Sequence, residues 1–429
     1  MNIAYIVAEF PKLTETFIAR EIHALEERGF RITVFSLRRP RLTAEQLGED
    51  RTGGDTPPYA RSPAGGIVYP PPLPSLMLIT AQFRQLTSPV RYLRDLAAIL
   101  AADCPHPIRM VKALRRFLIA VAFAERARKK AIEHVHAQFV FVTADTAHVM
   151  ASLLGVQESV SAHAWDIYTQ PTAVLRRRLA NAAWVSACTK HAVEYLRGQL
   201  PKQLPEIHYA PHGLDLAQFS HASNEASGSG QDRPLILGIG RLEEKKGFCY
   251  LIDAIHILLN ETETLEDRTP RHSLKCTIIG DGPKHSALRS MVDQLGLQGT
   301  VSLPGAANPQ TVWTLLSRAS AMVLPSVIAP DGDRDGLANV ILEAMATGTP
   351  VITTTASAAS EVIRDEENGF LVAPHDPAGI ADRIRRILID TDLRNRVTRA
   401  ACKTVSEQFD IDKTIRTYEN LFRQSGKKS

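Results

Sequence analysis

Short apolar runs alternate with segments of helical length twice over along this 429-residue chain, and that alternation constrains its fold more than any other feature. In the first series Ile3–Val7 reads as a strand, Glu15–Glu27 as a helix and Arg31–Ser36 as a second strand. An irregular stretch from Arg39 to about Pro74 follows, broken by Gly-Gly and Pro-Pro pairs that stop either period. Helical patterns then run over about 75–100 and 107–132, and strands return at Val135–Phe139, Ser159–Ala162, Trp184–Ala187 and Ile207–Ala210. A second series places strands at Leu235–Ile239, Lys275–Ile279, Val301–Leu303, Ala321–Leu324, Pro350–Thr353 and Gly369–Val372, with helices at about 247–260, 283–295, 309–318, 338–347 and 377–389. Strands that alternate with helices predict parallel sheets covered on both faces. The expected fold is therefore α/β, with two Rossmann-like, doubly wound domains facing a central cleft. Residues 1–220 form the first, the polar Gly- and Ser-rich stretch 221–233 is a linker, 234–405 form the second, and a last helix within 406–429 crosses back. The length agrees, being too great for one ordinary core.

Composition narrows the setting. Apolar residues make up 44% and charged residues 22%, as in folded globular proteins, so long disorder is not expected. Cys104, Cys188, Cys249, Cys276 and Cys402 are scattered without a CxxC pair, which fits a reducing, cytoplasmic setting and no structural zinc. The start MNIAYIVAEF reads as a first strand, because Glu9 interrupts its apolar run and no basic stretch precedes it. The longest unbroken apolar run, Phe117–Ala124, is far short of the roughly 20 residues that span a bilayer. Residues 1–220 hold 26 Lys and Arg against 19 Asp and Glu, whereas 221–429 hold 24 against 27. The basic first half suits either an anionic partner or plain solvated faces. In Pro107–Lys130, basic residues flank apolar ones, the pattern of a helix resting on anionic lipid and equally of a basic surface helix over a core. Nucleic acid is not an expected partner.

Two motifs carry chemistry. Directly after the strand Leu235–Ile239 comes Gly240-Arg241-Leu242-Glu243-Glu244-Lys245-Lys246-Gly247. A glycine there permits close backbone approach, Arg241 offers a bidentate donor and Lys246 a compact charge, a set suited to two phosphates or to a charged surface turn. The second motif is Asp335-Gly336-Leu337-Ala338-Asn339-Val340-Ile341-Leu342-Glu343, in which a helix should start near Leu337 or Ala338. Free N–H groups at such a start attract an anion. Glu343 is the one acid on an apolar helix and needs partners, such as a ribose diol or a buried cation. His163 follows a strand and has Asp166 nearby; its imidazole suits a sugar hydroxyl or a satisfied core. His134 and His136 share one face of a strand and are expected to pack structurally. Asp331-Gly332-Asp333 has the form of a metal clamp, but a divalent ion is redundant where Arg, Lys and a helix start already neutralise phosphate, so no metal or other cofactor is expected.

Together the Arg-then-Lys-Gly loop and the acid-x7-Glu block, about 90 residues apart, resemble family 4 retaining glycosyltransferases of the GT-B architecture. Ile279-Gly280-Asp281-Gly282-Pro283, Val301-Ser302-Leu303-Pro304-Gly305, Ala321–Ser326, Phe10–Ile18, Ser161–Tyr168 and His212-Gly213-Leu214-Asp215 also resemble that family, most closely its bacterial exopolysaccharide and colanic-acid-type branch. The resemblance covers the chain apart from about 40–75 and 261–272. It implies that Arg241, Lys246, Gly336 and Leu337 bind the diphosphate of a nucleotide-sugar donor and that Glu343 holds its ribose. It further implies that Gly240, Gly282 and Gly305 line the nucleotide pocket and that His163 and Asp335 are catalytic beside the donor sugar. The family usually has Glu where this chain has Asp335, one methylene shorter. The implied activity is hexosyl transfer with retention onto a glycan or polyprenyl-diphosphate-linked acceptor, in the cytoplasm or peripherally at the inner face of a membrane. An epimerase or hydrolase of the same fold, and an idle nucleotide-sugar-binding subunit, are the alternatives.

Overall fold

The computed structural model describes residues 1–40, 61–72, 75–84, 89–102, 106–201, 205–219, 233–260 and 274–426. Most of the irregular stretch after Arg39, all but Arg233 of the expected linker, and Cys104 lie outside the described residues. Two compact units emerge: Met1–Pro211 with Thr414–Ser429, and His212–Lys413. The first unit therefore ends before the expected residue 220. Leu214 and Phe219 belong to the core of the second unit, and the Leu214 N–H donates to Phe409 O at 2.7 Å.

The first unit runs β1 (Asn2–Glu9), α1 (Thr16–Glu26), β2 (Arg31–Arg38), β3 (Ile67–Val68), α2 (Leu76–Arg84), α3 (Pro89–Ala102), α4 (Pro107–Lys129), β4 (His134–Gln138), α5 (Val142–Leu154), β5 (Gln157–Ala162), α6 (Ala164–Tyr168), α7 (Thr172–Leu179), β6 (Trp184–Ala187), α8 (Lys190–Gln199) and β7 (Glu206–Tyr209). Its parallel sheet has the order β3-β2-β1-β4-β5-β6-β7. The two-residue β3 was not legible because two residues show no period. The pattern over 75–100 is two helices, the second starting at Pro89, whose fixed φ suits a first turn.

Strand alternation sorts the two faces of this sheet. Ala4, Ile6, Val135, Ala137, Val160, Ala162, Val185 and Ala187 join the apolar core with α4 and α5. Tyr5, His134, His136, Gln138, Ser159, Ser161, Trp184 and Ser186 occupy the other periodic set, and it is polar yet buried. The last helix, which comes at the end of the second unit as Ile411–Ser425, packs there from Thr414 onward: Phe422 meets His136 and Trp184 edge-on and Tyr5 at a tilt, and Tyr418 OH lies 3.0 Å from Ser161 Oγ. His134 and His136 are buried core residues, each within 2.8 Å of Ser159 Oγ, although Nδ1 of His134 is buried without a hydrogen-bond partner. Burial pushes both well down from the usual imidazole value, and His134 adds to that effect at His136.

The second unit runs β8 (Leu235–Ile239), α9 (Phe248–Asn260), β9 (Lys275–Ile279), α10 (His285–Gln294), β10 (Val301–Gly305), α11 (Pro309–Arg318), β11 (Ala321–Leu324), α12 (Asn339–Ala346), β12 (Val351–Thr354), β13 (Phe370–Val372), α13 (Pro377–Ile389), α14 (Thr391–Gln408) and α15 (Ile411–Ser425), the helix whose residues from Thr414 join the first unit. Its sheet is parallel throughout, with the order β10-β9-β8-β11-β12-β13. Asn308, Asp376 and Asp390 cap α11, α13 and α14 through side-chain oxygens, which explains why those helices start where they do. Among the described residues, no helix is long and apolar enough to cross a membrane.

Candidate active site

The winding of the second sheet reverses at β8, with β9 and β10 on one side and β11 to β13 on the other. In an open parallel sheet, ligands settle beyond the carboxyl ends of the strands at such a switch point. The loops after β8 and β11 both end there, and two ion pairs join them. Lys246 Nζ donates to Asp335 Oδ2 at 2.8 Å, and Ser326 Oγ donates to the same oxygen at 2.7 Å; all three residues are buried. Lys245 Nζ reaches both oxygens of Asp333, at 3.0 and 2.9 Å. Burial alone would push the Asp335 carboxyl up, but Lys246, Lys245 and the Ser326 hydroxyl outweigh it and hold the group below its usual value. Gly247 makes this approach possible. Its φ is +62°, and a Cβ there would stand 2.0 Å from Pro325 O.

The three expected pocket glycines come together through the backbone. The Gly240 N–H donates to Ile279 O at 3.0 Å, Leu242 N–H to Asp281 O at 2.9 Å, and Gly280 N–H to Gly305 O at 2.9 Å. Gly282 abuts Leu242, whose carbonyl oxygen would lie 2.6 Å from a Cβ. Arg241 leaves the same loop but is 46% exposed at its side chain and pairs with Glu243 at 2.8 Å. α12 begins at Asn339, so Gly336 and Leu337 form a bend before it rather than its first turn. The shift has a local cause: Ala338 is extended, and Asn339 Oδ1 is held 3.0 Å from His212 Nδ1. Glu343 is half-buried on this helix and engaged within the fold.

Ser326, Lys245 and His212 lie in motifs legible in the sequence, but their pairings with Asp335, Asp333 and Asn339 were not. The partners of Lys245 and His212 are distant in sequence, and a serine after a strand or a second lysine in a run carries no periodic mark. Asp333 of the clamp-like triplet is taken by Lys245, and Asp331 Oδ1 accepts from the Asp333 N–H at 3.0 Å.

In the first unit His163 caps the short α6 at the carboxyl end of β5. It is buried; its N–H donates to Asp166 Oδ1 at 2.7 Å, and its Nε2 lies 3.1 Å from Gln138 Oε1. Gln138 Nε2 donates to Glu21 Oε1 at 2.9 Å, as does Tyr5 OH at 2.8 Å. The amide therefore presents its oxygen to the ring, which makes Nε2 the protonated nitrogen of His163. Burial pushes the Glu21 carboxyl up to about 7 despite its hydrogen bonds to Tyr5, Tyr418 and Gln138. Burial likewise pushes Asp166 up to about 7 against the N–H groups of Val140 and His163 and the charge of Arg178. Phe139, at φ +76°, turns its ring to 4.3 Å from that of His163, a strained backbone position next to a polar site. Trp165 is partly exposed and meets Phe141 edge-on at 5.0 Å. A cavity of about 420 Å³ also opens in this unit, lined by Arg39, Tyr69, Pro71, Arg126, Lys129 and Lys130, and it holds none of the expected site residues.

Residues 220–404 match the family model for glycosyl transferases group 1, which covers the switch-point loops, both ion pairs and the glycine cluster. A provisionally named colanic acid biosynthesis glycosyltransferase of Escherichia coli (strain K12) is 32% identical over 200 residues, 46% of this chain and 46% of that protein. Such alignments span about half the length of the curated relatives. Among solved structures, the sucrose-phosphate synthase of Thermosynechococcus elongatus superposes with a TM-score of 0.72 at 19% identity, covering 100% of both chains. The Anabaena protein HepE in complex with UDP does so with a TM-score of 0.69 at 16% identity, covering 99% of this chain and 100% of that one. The fold is thus the GT-B fold expected from the sequence, and the resemblance to group 1 glycosyltransferases holds in the second unit.

Proposed function

We propose that this chain, whose residues 220–404 carry the glycosyl transferases group 1 family, moves a hexose-type sugar from a nucleoside-diphosphate sugar to a glycan or polyprenyl-diphosphate-linked acceptor in surface-polysaccharide synthesis. The observation that carries this reading is the buried Lys246–Asp335 contact at the switch point of the second sheet, beside Gly336. An ammonium has three donors, and one to Asp335 leaves two for phosphate oxygens. The complexes of HepE with UDP and with UDP-glucose support a nucleotide-sugar donor.

In this reading the leaving nucleoside diphosphate gathers negative charge as the bond from the anomeric carbon to the phosphate oxygen breaks. Lys246, Arg241 and the backbone N–H groups around Gly336 and Leu337 lower the barrier by stabilising that charge more in the transition state than in the ground state. Glu343 takes the ribose hydroxyls, and Gly240, Gly282 and Gly305 leave room for the nucleotide. The acceptor oxygen bonds to the anomeric carbon on the face that the phosphate leaves, and its proton passes to the departing phosphate oxygen, which retains configuration. Asp335 contacts the donor sugar, and His163 hydrogen-bonds a sugar hydroxyl. We assign no divalent ion to the reaction, because Lys245 already holds Asp333. Thiols at Cys188, Cys249, Cys276 and Cys402 support a cytoplasmic setting.

A panel of nucleoside-diphosphate sugars, screened by thermal shift and then by transfer to glycan and lipid-linked acceptors, tests the reading. Lys246→Ala and Arg241→Ala should abolish transfer in a folded protein. Donor breakdown with no acceptor-dependent product would point to an epimerase or hydrolase, and an undiminished rate in both variants would overturn the assignment.

A further inference from the structure

The helix over Pro107–Lys129 divides into two parts of different burial. From Phe117 onward its apolar residues, Phe117, Val121, Phe123 and Ala127, are fully buried in the first unit's core. Its first turns instead hold Ile108, 72% exposed, with Val111 and Leu114 also in solvent. Besides α5, two helices of this unit pack against α4, and one of them, α2, exposes Leu76, Ile79 and Phe83. The other, α3, exposes Val90, at 79%, and Leu93. Each set follows helical spacing, so each is one stripe along its helix.

This is a concentration and not the usual scatter. Eight of the 11 large hydrophobics exposed among the described residues fall within residues 76–114. Isolated exposed leucines need no explanation, but a clustered set does. Among the described residues of 75–116, the exposed charges around them are all of one sign. Arg91, Arg109, Lys112 and Arg115 are exposed, and the one acid among the described residues of 75–116, Asp95, is buried and paired with Arg94 at 3.0 Å. Ordinary surfaces intersperse both signs.

We propose that α2, α3 and the first turns of α4 form a docking surface for an anionic phospholipid bilayer. The apolar stripes enter the boundary between headgroups and acyl chains, and the cations meet lipid phosphates. Charge decides between occupants. A second copy would bring the same cations face to face with no exposed acid among the described residues of 75–116 to meet them, and like charges across an interface oppose association. An anionic lipid surface satisfies both the stripes and the cations. The inference does not depend on the transferase reading.

Flotation of the full chain with phosphatidylcholine vesicles, with and without phosphatidylglycerol, at about 0.15 M salt tests it. The wild type should float with the anionic vesicles and only weakly with the neutral ones. Arg109→Gln, Lys112→Gln and Arg115→Gln combined should lower partitioning by about a hundredfold. Phe83→Glu with Val111→Glu should lower it by at least about tenfold while the melting curve stays unchanged, since both side chains are exposed. The proposal falls if the wild type ignores anionic vesicles or if both variants bind like the wild type. It also falls if light scattering shows a lipid-free dimer that the Phe83 and Val111 substitutions dissociate. Transfer to a soluble acceptor, measured alongside, keeps this outcome separate from that of the enzymatic reading.

Discussion

The Lys246 ammonium stands 2.8 Å from Asp335 Oδ2, and this buried contact joins two loops 89 residues apart in sequence. It also joins the two motifs that the sequence had marked separately, so structure and proposed chemistry share one interaction.

Removing one partner should damage both. Lys246→Met leaves a buried carboxylate without its cation, at a cost of about 3 kcal/mol in stability. Turnover should fall at least about a hundredfold through the lost charge at the leaving group. Denaturant unfolding of Lys246→Met, Asp335→Leu and the double variant separates these effects: the double variant should recover stability while remaining inactive. An active double variant would be incompatible with the proposed role.

Asp335 also predicts an acid limb. Its folded value lies below the ordinary 3.8, so its contribution is fully present above that pH and is lost as pH falls through the lower folded value. Asp335→Asn should flatten the stability curve below about pH 4, as followed by thermal melts at stepped pH.

The first unit should show the opposite slope at higher pH. Glu21 and Asp166 have folded values of about 7 against ordinary values of 4.5 and 3.8. Each keeps its proton in the folded state where the unfolded chain has lost it. The stability each contributes is complete below its ordinary value and is lost as pH rises through about 7. Glu21→Gln should retain the hydrogen bonds from Tyr5 and Gln138 and remove part of that slope. Melting temperatures that vary with pH as in the wild type would count against it.

Gln138 fixes the His163 tautomer, with Nε2 protonated. Nitrogen-15 spectra of the imidazole should show that tautomer in the wild type and a mixture in Gln138→Leu. If His163 meets a sugar hydroxyl, transfer in that variant should fall by about tenfold, the loss of one oriented hydrogen bond.

Gly280 is the tightest backbone position in the glycine cluster, since a Cβ there would stand 1.8 Å from Gly240 O. Gly280→Ala must push the β8 and β9 loops apart. Donor affinity, read by titration calorimetry, should fall at least tenfold while the first unit's hydrogen-exchange protection is unchanged, a loss of about 1.4 kcal/mol or more.

Much of this protein was already determined by its sequence. The alternation of short strand-like runs with helical stretches located 12 of the 13 strands among the described residues, because each kind of element carries its own side-chain period. The glycine loops and the acid-x7-Glu block were legible for a similar reason: close backbone approach and phosphate-suited charge restrict residue type locally. Only tertiary structure decided which residues face one another. Pairing Lys246 with Asp335, adding Ser326, and setting Gln138 between Glu21 and His163 all depend on strand order, which no local period encodes. The same holds for α4, where two stretches of similar composition meet opposite fates. Phe117, Val121, Phe123 and Ala127 are buried with α5 in the core, while Ile108 and Val111 stay in water because none of the described residues covers them. Burial is a property of neighbours, and neighbours are assigned by the fold.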